Sequence, residues 1–70
     1  MRLWRGWIVG RKKDKTLLEQ LGINITKEEP KLGGGTEFKV EGITDEALDK
    51  LDPHWGRLVW GLNPYEGVKR

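Results

Sequence analysis

Cysteine and serine are both absent from this 70-residue chain, and histidine occurs once. Without cysteine there is no disulfide scaffold, no thiolate zinc site and no thiol nucleophile. Without either residue, His54 has no hydroxyl or thiol partner of the Ser/His or Cys/His kind to activate. Its place after Asp52-Pro53 reads as a surface or capping residue. No uncharged run in the sequence approaches the ~18 residues a membrane helix needs. The first residues lack the long apolar core of a secretory signal. These absences lead us to expect a soluble cytoplasmic protein that is not an enzyme, meets no membrane, and takes no cofactor, metal or small-molecule substrate.

What the chain does have is tryptophan. Four indoles in 70 residues matter, because a domain this short buries only about 60% of its unfolded surface and each indole buries ~150–250 Å². Charge is unevenly spread. Residues 1–15 hold six cations against Asp14, whereas residues 19–52 hold four lysines against nine acids. Such asymmetry steers partners without setting the fold.

Residues 3–9 favour a strand, since Trp4, Trp7, Ile8 and Val9 are aromatic or β-branched. A short helix follows. Thr16 and Glu19 have capping-box spacing, Asp14 competes as cap, Leu17, Leu18 and Leu21 form the apolar stripe, and Gly22 stands at the C′ position. A second strand begins at "INIT" and ends near Pro30. After a "KLGGGT" turn, "EFKVEG" alternates cleanly, with Phe38 and Val40 inward and Gly42 closing the strand. Thr44 caps a second helix with Ala47, Leu48 and Leu51 inward. Asp52-Pro53 ends that helix or restarts a single turn. "RLVWGL" is the last strand, stopped by Asn63-Pro64.

The order β-α-β-β-α-β, closed by two right-handed crossovers, predicts a small ferredoxin-like α+β domain. Its four-stranded antiparallel sheet would have order 4-1-3-2 and two short helices on one face. We place the domain at residues 1–64, with 65–70 as a loose tail. A small β-barrel or roll is the alternative. The stretch "KVEGITDEALDKL" resembles the corresponding segment of many ferredoxin-like domains, acylphosphatases among them. The activity does not follow, because the "GRKKDKT" loop has Arg11 but no glycine-rich phosphate cradle, and strand 3 has no asparagine.

This fold gives the sheet one covered and one bare face. Arg5 decides which side of the first strand is bare, because an unpaired guanidinium is rarely buried. Trp4 then faces the core, packed with Trp60, and Gly6 makes room beneath a helix. Leu3, Arg5, Trp7 and Val9 face out, beside Lys39, Arg57 and Val59. An apolar patch with arginines at its rim marks a protein-binding surface. Two alternatives remain: the tail folds back over Trp7 through Tyr65 or Val68, or the register reverses.

The leading expectation is therefore a small non-enzymatic protein-binding module, of the accessory or inhibitor kind that phages encode. Its partner would be another protein or a second copy of the chain through the sheet face. The alternative is nucleic-acid binding, with Arg11, Lys12, Lys13 and Lys15 on phosphates and Trp7 as a stacking platform. Asp45, Asp49 and Asp52 read as a solvated helix face rather than a metal site, and Gly33-Gly34-Gly35 as a hairpin loop rather than a phosphate loop.

Overall fold

A computed structural model of the chain describes residues 2–66. Along the chain lie β1 (Arg2–Gly10), α1 (Asp14–Gln20), β2 (Asn24–Pro30), β3 (Thr36–Ile43), α2 (Asp45–Leu51), a 3₁₀ turn (Asp52–His54) and β4 (Val59–Glu66). Together they make a small α+β domain with two helices and one four-stranded antiparallel sheet, ordered β2-β3-β1-β4.

Directly opposed residues share a sheet face, so the register assigns every side chain of β1. Ile8 stands between Phe38 and Trp60, and Gly6 between Val40 and Leu62. Ile8, Phe38 and Val40 are buried in one cluster with Leu18 of α1 and with Ala47 and Leu51 of α2, so both helices cover this face. Trp4 belongs to the same side. It is half-buried against the cluster, and its Nε1–H donates to Asp45 Oδ1 of α2 at 2.7 Å. On the opposite side, Trp7 lies between Lys39 and Gly61, Val9 between Glu37 and Val59, and Leu3 beside Tyr65.

Several local expectations change. α1 is not capped by a side chain, and Thr16 lies inside it. Asp14 works from the first turn instead, accepting the Arg11 backbone N–H at 2.8 Å. The C-terminus of α1 does close as expected. Gly22 has φ +84°, its N–H reaches Glu19 O, and the Ile23 N–H reaches Leu18 O. Thr44 caps α2 by accepting the Ala47 N–H at 3.2 Å.

Gly42 does not close β3. At φ +71° it sits where β3 has one residue more than β1 across from it, a bulge that shifts the register and lets the strand continue. Ile43 is thereby turned into the core, where it is fully buried. Pro64 does not stop β4 either. Trp4 faces Pro64 and Arg2 faces Glu66, so Tyr65 and Glu66 belong to the sheet and the expected boundary at 64 moves outward. The remainder of the expected tail, residues 67–70, lies outside the described residues. Gly6 makes room for a strand rather than a helix: a Cβ there would come within 2.0 Å of the Gly61 carbonyl oxygen.

Candidate functional site

Trp7 projects from the middle of the helix-free face and is 38% exposed. Its indole lies across Gly61 of β4, for a Cβ on Gly61 would fall 2.7 Å from Trp7 Cε2 and Cζ2. Glycine on the neighbouring strand is thus what lets the ring lie against the sheet. Val59, in the adjacent row, is 44% exposed, and half-buried Val9 stands beside it. Together these side chains form an apolar strip along β1 and β4.

Tyr65 occupies the other end of that face. Its hydroxyl accepts the Gly42 N–H at 3.0 Å, which places it across β1 at the bulge of β3. The Arg5 guanidinium lies over its ring at 4.7 Å from the centroid. Tyr65 therefore covers the Leu3–Arg5 end and leaves Trp7 open. Val68, the other residue expected to shield Trp7, lies outside the described residues.

The β2–β3 half of the same face is ionic. Glu37 receives Lys31 Nζ and Lys39 Nζ, both at 2.7 Å, and Lys27 pairs with Glu29 at 3.0 Å. Hydrogen bonds from Lys31 and then Lys39 hold the Glu37 carboxyl well below its ordinary range, at about 2. The Lys27 hydrogen bond likewise lowers Glu29. Lys39 thus reaches the face beside Trp7 tied to a carboxylate that it shares with Lys31.

Arg57 departs from expectation. The turn at Gly56, with φ +102°, precedes β4 and takes Arg57 away from the Trp7 strip. Its Nη2 donates to Asp14 Oδ1 at 3.2 Å, in the first turn of α1. The expected group of Leu3, Arg5, Trp7, Val9, Lys39 and Val59 shares one sheet face, and Arg57 leaves it.

What Arg57 joins is the basic loop. Arg11, Lys13, Asp14, Gly56 and Arg57 line a cleft of about 570 Å³. Lys12 lines a different hollow with Glu28, Pro30 and Thr36, and Lys15 lies 3.8 Å from Glu28. The basic run is therefore split between two sides. Trp55, next to Gly56, is 59% exposed and meets Trp60 edge-on at 4.9 Å with an interplanar angle of 77°. Trp60, like Trp4, packs against the core cluster, and its edge-on aromatic contact is with Trp55. Sequence reasoning missed Trp55, although the apolar indole between His54 and Gly56, outside any strand pattern, was the available signal. Leu32, fully exposed at the β2–β3 hairpin tip, was missed as well.

Set against known proteins, the chain matches no family model, no curated protein and no solved structure. Its function is therefore argued from these two surfaces.

Proposed function

We propose that the chain is a small, non-enzymatic protein-binding module that uses the helix-free sheet face around Trp7. The observation that carries this reading is the indole resting on Gly61, 38% exposed, with Val59 and Val9 beside it on a face that neither helix covers. A fixed aromatic ring inside an apolar strip suits a protein partner, because little side-chain freedom is lost when it is covered. Arg5, ordered on Tyr65, stands between Trp7 and Leu3 and forms the polar rim. The partner is another protein or a second copy of this chain, met in the cytoplasm. Among the described residues no helix is long and apolar enough to cross a membrane.

We read the fold as ferredoxin-like. This is supported by the element order and by the sheet, which runs β4-β1-β3-β2 from its other edge with every neighbouring pair antiparallel. Right-handed β1-α1-β2 and β3-α2-β4 crossovers in an experimental structure are the expected outcome.

The binding test compares wild-type chain with Trp7→Ala. Sedimentation across a concentration range reports self-association, and retention from an extract of the producing cells reports another partner. The expected result is one of these two associations, lost in Trp7→Ala while the circular dichroism spectrum is kept. A monomer that retains the same proteins with and without Trp7 defeats the reading.

A further inference from the structure

The cleft just beyond the end of the sheet where Val9 faces Val59 has a different character. It joins two segments far apart in sequence, and Asp14 is what ties them. Asp14 is only 3% exposed, yet both its oxygens are used: Oδ2 accepts the Arg11 backbone N–H, and Oδ1 accepts Arg57 Nη2. Its one negative charge is thus spent inside the structure. Arg57 remains largely exposed, so its other guanidinium donors face outward. Arg11 and Lys13 are exposed and make no ion pair among the described residues. Among the described residues, three cations therefore line one cleft with a single acid, Asp14, that is already bonded.

Trp55 adds the second half of the chemistry. It is one residue from Gly56 and two from Arg57, both of which line the cleft. The 3₁₀ turn containing Pro53 leads into it, the Trp55 N–H bonds to Asp52 O at 3.1 Å, and Trp60 meets its ring edge-on. The backbone is fixed by that bond, and the indole, 59% exposed, rests edge-on against Trp60 with surface left open for a base.

We propose that this cleft binds single-stranded nucleic acid, with phosphates on Arg11, Lys13 and Arg57 and an unstacked base on Trp55. Cations spaced along a groove beside a fixed aromatic ring are what a single strand requires. A duplex is disfavoured, because its stacked bases cannot reach an indole and because both helices have seven residues, about 10 Å each, too short to read a groove. The aromatic partner of the basic loop is on this reading Trp55 and not Trp7. The proposal is independent of the one made for the sheet face.

Fluorescence anisotropy with a fluorescein-labelled 12-nucleotide oligo(dT) tests it. Binding should weaken as salt rises, with a log–log slope near −2 for about three phosphate contacts. Trp55→Ala should lose about tenfold or more in affinity, in line with the removal of one stacked base, while Trp55→Phe keeps most of it and guards against a folding artefact. Lys13→Glu should abolish binding. Lys27→Glu, the same charge change on the far edge strand, should cost far less. Displacement of the oligonucleotide by pyrophosphate or polyglutamate at equal charge concentration would mean a mere anion site and overturn the proposal. Equal losses in Lys13→Glu and Lys27→Glu, an unaltered affinity in Trp55→Ala, or no binding at low salt overturn it too.

Discussion

Trp7 and Trp55 are both exposed indoles, and what separates them is their neighbours. Trp7 rests on a glycine of the adjacent strand, flanked by valines, and the cation opposite it, Lys39, is ion-paired with Glu37, which Lys31 shares. Trp55 precedes Gly56 and Arg57, which line a cleft where, among the described residues, three cations meet a single acid. One ring lies in an apolar strip beside an ion-paired lysine; the other is joined through Gly56 to a cleft with excess positive charge. The same residue type thus offers a protein surface in one place and a polyanion surface in the other, and neither role follows from tryptophan alone.

The largest effect should come from breaking what both rings share. Gly6 has φ +152°, and a Cβ there would press to 2.0 Å from the Gly61 carbonyl oxygen. Backbone meets backbone, so no rotamer relieves the clash. Gly6→Ala should cost about 3 kcal/mol or more, lowering the melting temperature by at least ~12 °C at the ~4–8 °C per kcal/mol typical of small domains. Thermal circular dichroism measures it. A drop under ~4 °C would mean that β1 and β4 do not approach as described.

Asp14→Ala should come next and should act on the Trp55 side only. It orphans the Arg11 N–H and frees Arg57, an expected loss of about 1–3 kcal/mol. Asp14→Asn should lose less, because one acceptor oxygen remains. Acrylamide quenching of a variant retaining only Trp7 should be unaltered by either change. Smaller again is Gly61→Ala, at about 1 kcal/mol: its Cβ meets the Trp7 ring at 2.7 Å, but an indole can swing aside. Trp7 should then quench more readily while oligo(dT) binding stays as in the wild type. If Gly61→Ala weakened oligo(dT) binding as much as Asp14→Ala, the two surfaces would be one.

Much of this was legible because strand periodicity is local. Arg5 alone separated the faces of β1, and Thr44, Gly22, Phe38 and Val40 lie as their neighbours require. What misled was backbone irregularity. Gly42 was read as a stop, yet glycine at positive φ also makes a bulge, after which inward positions change parity and Ile43 enters the core. Pro64 does not stop β4 although proline is a common strand breaker: β4 is an edge strand in the expected order and in the observed one, and an edge tolerates proline. The displacement of Arg57 depended on an ion pair spanning 43 positions, and no local pattern encodes such a distance. The Trp55 cleft was invisible for the same reason.

The mildest test sharpens the contrast through pH. Glu37 is held at about 2 by Lys31 and Lys39, against an ordinary value of 4.5. A lowered carboxyl pKa contributes stability that is complete above the unfolded value and is lost as pH falls through the folded one. The contribution of Glu37 should therefore be present above pH 4.5 and disappear between there and about 2. Both lysines are well exposed and screened by solvent, so the effect should be small and should shrink further in high salt. Thermal melts of wild type and Glu37→Gln should differ above pH 4.5 and converge toward pH 2. At neutral pH, Glu37→Gln should also leave Lys39 uncompensated beside Trp7, giving the apolar face some of the positive character now confined to the Trp55 cleft. If charge is what divides the two surfaces, oligo(dT) should gain a weak, salt-sensitive attachment to this variant that survives Trp55→Ala. No such gain would mean that Trp55 and its cleft geometry, rather than charge alone, make the difference.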